Sequence, residues 1–317
     1  MSGYSLLDYG KMISDPVRVG AYRRALERVI TPGATVLEAG AGPGLFSLLA
    51  CQLGAAKVWA VETAPVISLA RQLVESNGFG DRVELIQASA ESVELDQRVD
   101  VLVSDLRGVL PLVGRHLPVL RSVRDRLLLP EGRMVAERDR LRVAVVESED
   151  LYRLFDSPWR EGLVGLDLSP GRELSIHGWL KPTTGLDVAA RLTEPATWFE
   201  LDYRTFDSDH GRGSADLEVR RRGTAHGLAL WFESEVVSGV ELSNAPWEER
   251  RIYGWVFVAL EHPVGVEPGD RIEVDLDATL VDDAYVWSWA TRVGRGATEL
   301  ARFRQSSFYA EPLSPRS

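Results

Sequence analysis

The sequence has a single cysteine, Cys51, among 317 residues, which excludes an internal disulfide and any cysteine-cluster metal site. Its five histidines are scattered without ligand spacing, so the chain is expected to hold no metal and to work in a reducing, cytoplasmic setting. No apolar run approaches the roughly 20 residues a membrane helix needs. The opening MSGYSLLDYGKM lacks the basic start and apolar core of a secretory signal. Neither membrane insertion nor secretion is expected. Positive charge is also scarce. Against 47 acidic residues stand 36 basic ones, a net charge of -11, which repels polyphosphate and argues against a nucleic-acid partner.

What the chain does have is length for two packed cores and a hydrophobic content of 45%. The apolar period changes once. Up to about Glu137, strand-like runs (ATVLEAG, KVWAVE, RVELIQA, VDVLVSD, GRMVAE) alternate with helical stretches, the pattern of a parallel sheet with crossover helices. From Arg138 onward, short alternating strands separated by turn residues dominate, among them RLRVAVVES, ADLEVRRRG, LALWFESEV, YGWVFVALE and DRIEVDLDA. The expected architecture is a Rossmann-like α/β domain over residues 1–137, followed by an antiparallel β-barrel-like domain over 138–317. Within the second, about 150–185 is partly helical and apolar enough to need a covering partner. Only the closing EPLSPRS reads as disordered.

The strongest chemical signal is VLEAGAGPGLFSLLA, residues 36–50, with VWAVE ending at Glu62. Gly40, Gly42 and Gly44 bare the backbone between a strand and a helix, and an acid closing the next strand suits ribose hydroxyls. A nucleoside site is predicted. The spacing resembles motif I of the class I S-adenosylmethionine methyltransferases, whose sulfonium cofactor has no pyrophosphate to seat. Upstream, YGKMISDPVRVGAY resembles the N-terminal helix of the protein arginine methyltransferases. That resemblance implies that Tyr9 and Met12 pack on the cofactor and that Arg18 pairs with its carboxylate, for which a planar guanidinium is suited. ASAESVEL resembles the family's segment beside adenine, which implies a role for Ala90 and for Glu91 as acceptor from the exocyclic amine. Glu38, Leu45, Thr63 and Ser104, flanking these motifs, complete the implied cofactor set. SPWREGLVGLDLSP resembles the start of the family's dimerisation arm, so a homodimer is implied, with Leu151, Leu154, Phe155, Trp159 and Leu163 as its apolar residues.

The stretch VDVLVSDLRGVLPLVGRHLP, Val99 to Pro118, departs from the family. Where the family carries two glutamates that grip a guanidinium, this chain carries Asp105 and Gly114, and one shortened carboxylate cannot satisfy five donors and a charge. The family's Thr-His-Trp loop is also replaced, with Ile252 and Tyr253 at its last two positions. Asp105, His116 and Tyr253 are therefore the candidate catalytic groups, and Asp105, Arg107 and Arg115 the candidate acceptor-binding ones. The expected acceptor is a small metabolite or peptide, methylated on nitrogen or oxygen, with specialised metabolism as the expected setting. Two alternatives stand beside it: an arginine methyltransferase, of protein or free amino acid, that recruits Glu137 or Asp125 as its second acid, and a silent cofactor-binding partner of another chain. The tryptophans Trp255, Trp287 and Trp289 are expected in the core.

Overall fold

A computed structural model describes residues 4–160, 165–182, 184–249 and 252–310. The chain opens with α1 (Leu6–Ser14) and α2 (Pro16–Val29). Asp15 caps α2 by accepting from the Val17 and Arg18 amides at 3.1 and 3.0 Å, with Pro16 in the first turn. There follow β1 (Thr35–Ala39), α3 (Leu45–Gln52), β2 (Lys57–Val61), α4 (Ile67–Ser76), β3 (Val83–Ile86), β4 (Val99–Ser104), α5 (His116–Leu127) and β5 (Leu128–Val135). The five strands form a parallel sheet in the order β3-β2-β1-β4-β5. The near-continuous burial of β1, β2 and β4 is what a sheet covered on both faces demands. The strand order reverses between β1 and β4, so their carboxyl ends frame the crevice in which such sheets bind ligands.

Two residues after β5 the chain enters β6 (Arg138–Val146), then α6 (Glu149–Arg160) and α7 (Ser169–Ser175). The remaining strands are β7 (Ala196–Asp202), β8 (Gly211–Glu218), β9 (Gly223–Val237), β10 (Val240–Ser243), β11 (Val256–Val266), β12 (Arg271–Val281), β13 (Ala284–Arg295) and β14 (Thr298–Ser306). They make two antiparallel sheets, β10-β9-β6-β7 with β11 also on β9, and β14-β13-β12-β8. The alternation of burial along β12 from Arg271 to Ala278 shows one face inward and one in water. This is the Rossmann-like unit plus antiparallel, barrel-like unit that the change of period predicts. One hydrophobic core runs from α2 and the parallel sheet into both antiparallel sheets.

The helical arm forms as expected, but its faces divide differently. Phe155 is buried against Phe257 and Trp255 beneath α6, so it belongs to this chain's own core and cannot serve a mate. Leu154 and Trp159 remain exposed. Leu163 and the terminal EPLSPRS lie outside the described residues. Trp255 and Trp289 are buried as expected, while Trp287 is only half-buried. Among the described residues no helix is long and apolar enough to cross a membrane.

Candidate active site

At the end of β1 the chain turns through Gly40, Gly42 and Gly44 with φ of 75°, 54° and 79°, a region that side chains rarely adopt. The Gly42 amide donates to Glu62 Oε2 and the Ala64 amide to Oε1, both at 2.8 Å. Glu62, half-buried one residue past β2, thus holds the turn and remains partly accessible. The Tyr9 ring closes over the turn: a Cβ on Gly42 would stand 3.1 Å from it. The Leu106 side chain lies against Gly40 from the other side. Thr63 follows Glu62 at the exposed rim, with its hydroxyl 3.3 Å from the Glu62 carboxylate. A bare turn, an acid on the neighbouring strand and an aromatic cover fit a nucleoside-bearing cofactor.

Glu38 is placed differently from its implied cofactor role. Buried beneath the turn, it accepts from the Ser47 amide at 2.8 Å and from the Ser47 hydroxyl, bracing the start of α3 just after Leu45. Burial raises its pKa to about 7 against those two bonds.

Asp105, one residue beyond β4, is the charged centre of the crevice. Its Oδ2 accepts from Arg18 Nε and from the Tyr253 hydroxyl, each at 2.6 Å, and Arg107 Nε stands 3.4 Å from Oδ1. Burial alone would raise its pKa, but Arg18, Arg107 and Tyr253 prevail and hold the carboxyl below the usual range. Arg18, whose implied partner is the cofactor's carboxylate, is here engaged by Asp105 and by the Met12 carbonyl at 3.2 Å. Beside it, the Ser104 carbonyl accepts from Tyr22, while the Ser104 hydroxyl is buried without a partner.

The side chains after Asp105 correct the sequence expectations. Arg107 is not a cation offered to an acceptor. It is buried, donating to Asp139 Oδ1 and Ser234 Oγ at 2.7 Å each and to the Tyr22 hydroxyl at 3.2 Å. The Tyr203 hydroxyl donates to the other Asp139 oxygen at 2.6 Å. His116, a candidate catalytic group from the sequence, is buried with Nε2 3.2 Å from the Tyr203 hydroxyl. Burial, with Arg107 nearby, pushes His116 down to about 3, so it is neutral at physiological pH. Arg115 is exposed and bridges Glu91 at 2.8 Å and Asp283 at 3.1 Å. The carboxylate expected to face adenine is thereby shared with an arginine, and the neighbouring Ala90 is buried, its carbonyl taken by Arg126. Of the acids considered for recruitment, Asp125 is exposed near the far end of α5, paired with Arg124. Glu137 is held by Arg133 and the Ser238 amide. Neither is among the partners of Asp105. Gly114, in the place of the second acid, has φ 48° with open space where a Cβ would stand. The backbone, not crowding, disfavours a side chain there.

Two residues passed over in the sequence join this site to the antiparallel unit. Asp15, the cap of α2, accepts with its second oxygen from the Ile252 amide at 3.0 Å. Asn244 accepts from the Phe232 amide at 2.8 Å and donates to the carbonyls of Val109 and Gly254 at 2.9 and 2.5 Å. Together they fix the segment bearing Tyr253 against the loop bearing Asp105. A cap before proline was readable for Asp15, but its second bond spans 237 positions.

A parallel 3-2-1-4-5 sheet, a glycine turn at the crevice and an acid closing β2 define a class I S-adenosylmethionine-dependent methyltransferase. Consistent with this, residues 23–110 match the family model described as Ribosomal protein L11 methyltransferase (PrmA). An arginine N(omega)-methyltransferase of Streptomyces achromogenes subsp. streptozoticus is 31% identical over 271 residues, covering 84% of this chain and 74% of that protein. Protein arginine N-methyltransferase 6 of Xenopus tropicalis is 30% identical over 278 residues, covering 84% and 82%. Among solved structures, Arabidopsis thaliana protein arginine methyltransferase 10 superposes with a TM-score of 0.84 at 25% identity, covering 95% of this chain and 97% of that one. The Trypanosoma brucei PRMT1 enzyme-prozyme complex with AdoHcy gives 0.85 at 23% identity, covering 96% and 98%. The chain belongs to the arginine N-methyltransferase family. Its enzyme class and its S-adenosylmethionine cofactor follow from that membership, and no metal-binding cluster occurs among the described residues.

Proposed function

We propose that the chain methylates the guanidinium nitrogen of arginine, with residues 1–137 seating the cofactor and 138–317 the acceptor. The observation that carries this is Asp105, a largely buried carboxylate at the crevice beside the ends of β1 and β4, held by Arg18 and Tyr253. The relatives, named for arginine methylation over 84% of this chain, favour a guanidinium over the uncharged metabolite expected first. Arg18 and Arg107 already match Asp105 and Asp139 in charge, so an entering cation needs one acid released. Arg18 releases it by turning toward the cofactor's carboxylate, leaving Asp105 Oδ2 to the acceptor.

S-adenosylmethionine, bound at the glycine turn, supplies an activated methyl group on its sulfonium. Asp105 orients the guanidinium so that its nitrogen would form the new bond to the methyl carbon as the sulfonium C–S bond breaks, leaving S-adenosylhomocysteine, and because a carboxylate paired with a guanidinium is too weak a base to keep it, the proton lost by the methylated nitrogen passes to solvent. Tyr253 holds Asp105, and His116 is too deep to take part. Tyr9, Met12, Gly42, Glu62 and Glu91 line the cofactor's side. Calorimetry with S-adenosylhomocysteine should show Glu62→Ala weaker by about 1.5–3 kcal/mol, the loss of hydrogen bonds to a charged group. Unchanged affinity would remove Glu62 from the site.

Transfer of labelled methyl to free arginine or to an arginine-rich peptide tests the function, and incorporation into either is the expected result. A chain that binds S-adenosylhomocysteine yet labels neither would support a second reading, a cofactor-binding partner for another chain. That reading is favoured by Gly114, which offers no second acid, and by the relative described as an enzyme-prozyme heterotetramer. In both readings the arm pairs copies or partners through the exposed Leu154, Trp159 and Leu166. Because the inner face of α6 is core, point changes test this better than deletion. Leu154→Glu with Leu166→Glu should convert a sedimenting dimer to a monomer, and a wild type that sediments as a monomer at micromolar concentration would defeat the idea.

A further inference from the structure

The two antiparallel sheets do not close against each other completely. Between them lies a cavity of about 220 Å³. Its walls are Val256 and Val258 of β11 on one sheet and Leu276, Trp287 and Trp289 on the other, and no charged side chain lines it. Two polar groups of its aromatic walls are engaged elsewhere: the Trp289 indole donates to Gln305 at 3.0 Å and the Tyr285 hydroxyl to the Asp209 carbonyl at 2.6 Å. Protein interiors are close-packed, with few voids larger than a water molecule. An apolar void of about 150 Å³ is already enough to stay dry and accept benzene. This one is larger, is lined on its exposed side by Val113 and Trp179, and carries no charged side chain.

Its position ties it to the active site. One edge is the loop from Val109 to Gly114 that continues from Asp105, and the opposite wall, from Val256, continues from Tyr253. Gly114 and Ala284, the first residue of β13, both line the cavity. Their chain neighbours Arg115 and Asp283 are bridged there at 3.1 Å, with Glu91 on the same guanidinium at 2.8 Å. The position at which the family sets its second acid is therefore, in this chain, a side-chain-free part of the lining of an apolar chamber.

We propose that this cavity receives an uncharged aromatic or branched aliphatic group of the methyl acceptor, so that recognition lost as charge at Gly114 is recovered as apolar burial next door. The assignment rests on the arginine reading, in which the acceptor meets Asp105, and it narrows the acceptor to an arginine with an apolar neighbour. Binding alone tests it. By calorimetry, indole should bind saturably, and phenylalanyl-arginine amide should bind about tenfold tighter than alanyl-arginine amide, the ratio that burial of such a side chain gives. Two fillings should bring that ratio to about one: Val258→Phe on β11, and Val113→Trp on the loop before α5, where Val113 is exposed and a larger ring is tolerated. Equal affinities in the wild type, or a preference undiminished in a folded filled variant, overturns the proposal. Failure of the arginine reading has a different signature, since the tenfold preference would then persist while neither amide accepted a labelled methyl.

Discussion

Replacing Arg107 by methionine is expected to destabilise the fold by about 3–5 kcal/mol, the penalty of leaving one member of a buried ion pair alone. Asp139 is wholly buried, and of its donors Arg107 alone brings charge. The same guanidinium binds Ser234 and Tyr22 and lies over the Phe232 ring at 5.1 Å, so truncation also leaves polar groups unmatched. Replacing both partners by apolar residues, Arg107→Met with Asp139→Leu, should recover most of the loss, because the desolvated charge is removed along with its counterion. Urea unfolding of the two singles and the double measures the coupling. Burial pushes the Asp139 carboxyl up even in the wild type, opposed by Arg107. Without Arg107 the folded state binds that proton more readily than the unfolded chain, so the deficit should be greatest near neutral pH and shrink on acidification. A single variant that loses less than about 1 kcal/mol would show that Asp139 is relieved by water.

The architecture was legible because periodicity is a local property. Unbroken apolar runs between helical stretches specify a covered parallel sheet, and alternating ones specify sheets with one wet face. The glycine turn and Glu62 were legible for a related reason: both ends of the motif lie within 30 positions and the turn dictates glycine. The network around Arg107 was not, since its partners stand at 139, 203 and 234, brought in by three different strands and loops. Read from composition, Arg107 is a cation beside a ligand; in the fold it is the counterion of a strand residue. One signal was present. In β6, Asp139 shares the inward phase with Leu141, Val143 and Val145, and an acid on the buried phase of a strand requires a buried cation. Likewise the seat of His116 follows from α5 turning its first residue inward, where Tyr203 meets it.

Asp105→Asn, which keeps the shape and removes the charge, is expected to lower kcat/KM for the arginine acceptor by roughly 30- to 5,000-fold, the range for losing one partner of a desolvated charge pair. Two guanidinium groups, Arg18 and Arg107, depend on this carboxylate, and the acceptor would be the third. The affinity for S-adenosylhomocysteine should change far less, because Arg18 is then free for the cofactor's carboxylate. That split separates a residue that orients the acceptor from one that merely supports the fold. Tyr253→Phe should reproduce part of the effect, removing a 2.6 Å bond to the same oxygen and with it about 1.5–3 kcal/mol. The pH profile adds an independent check. In the cofactor-free chain Arg18, Arg107 and Tyr253 hold Asp105 below the usual carboxylate range, and in the proposed complex the acceptor guanidinium takes the place of Arg18, so the group stays ionised throughout mildly acidic and neutral solution. The acid limb of the wild-type profile should therefore fall only below that range, and a limb near pH 6–7 would assign the step to a different group. Methyl transfer by Asp105→Asn at the wild-type rate would leave the single retained acid without a function and return the acceptor to the uncharged class.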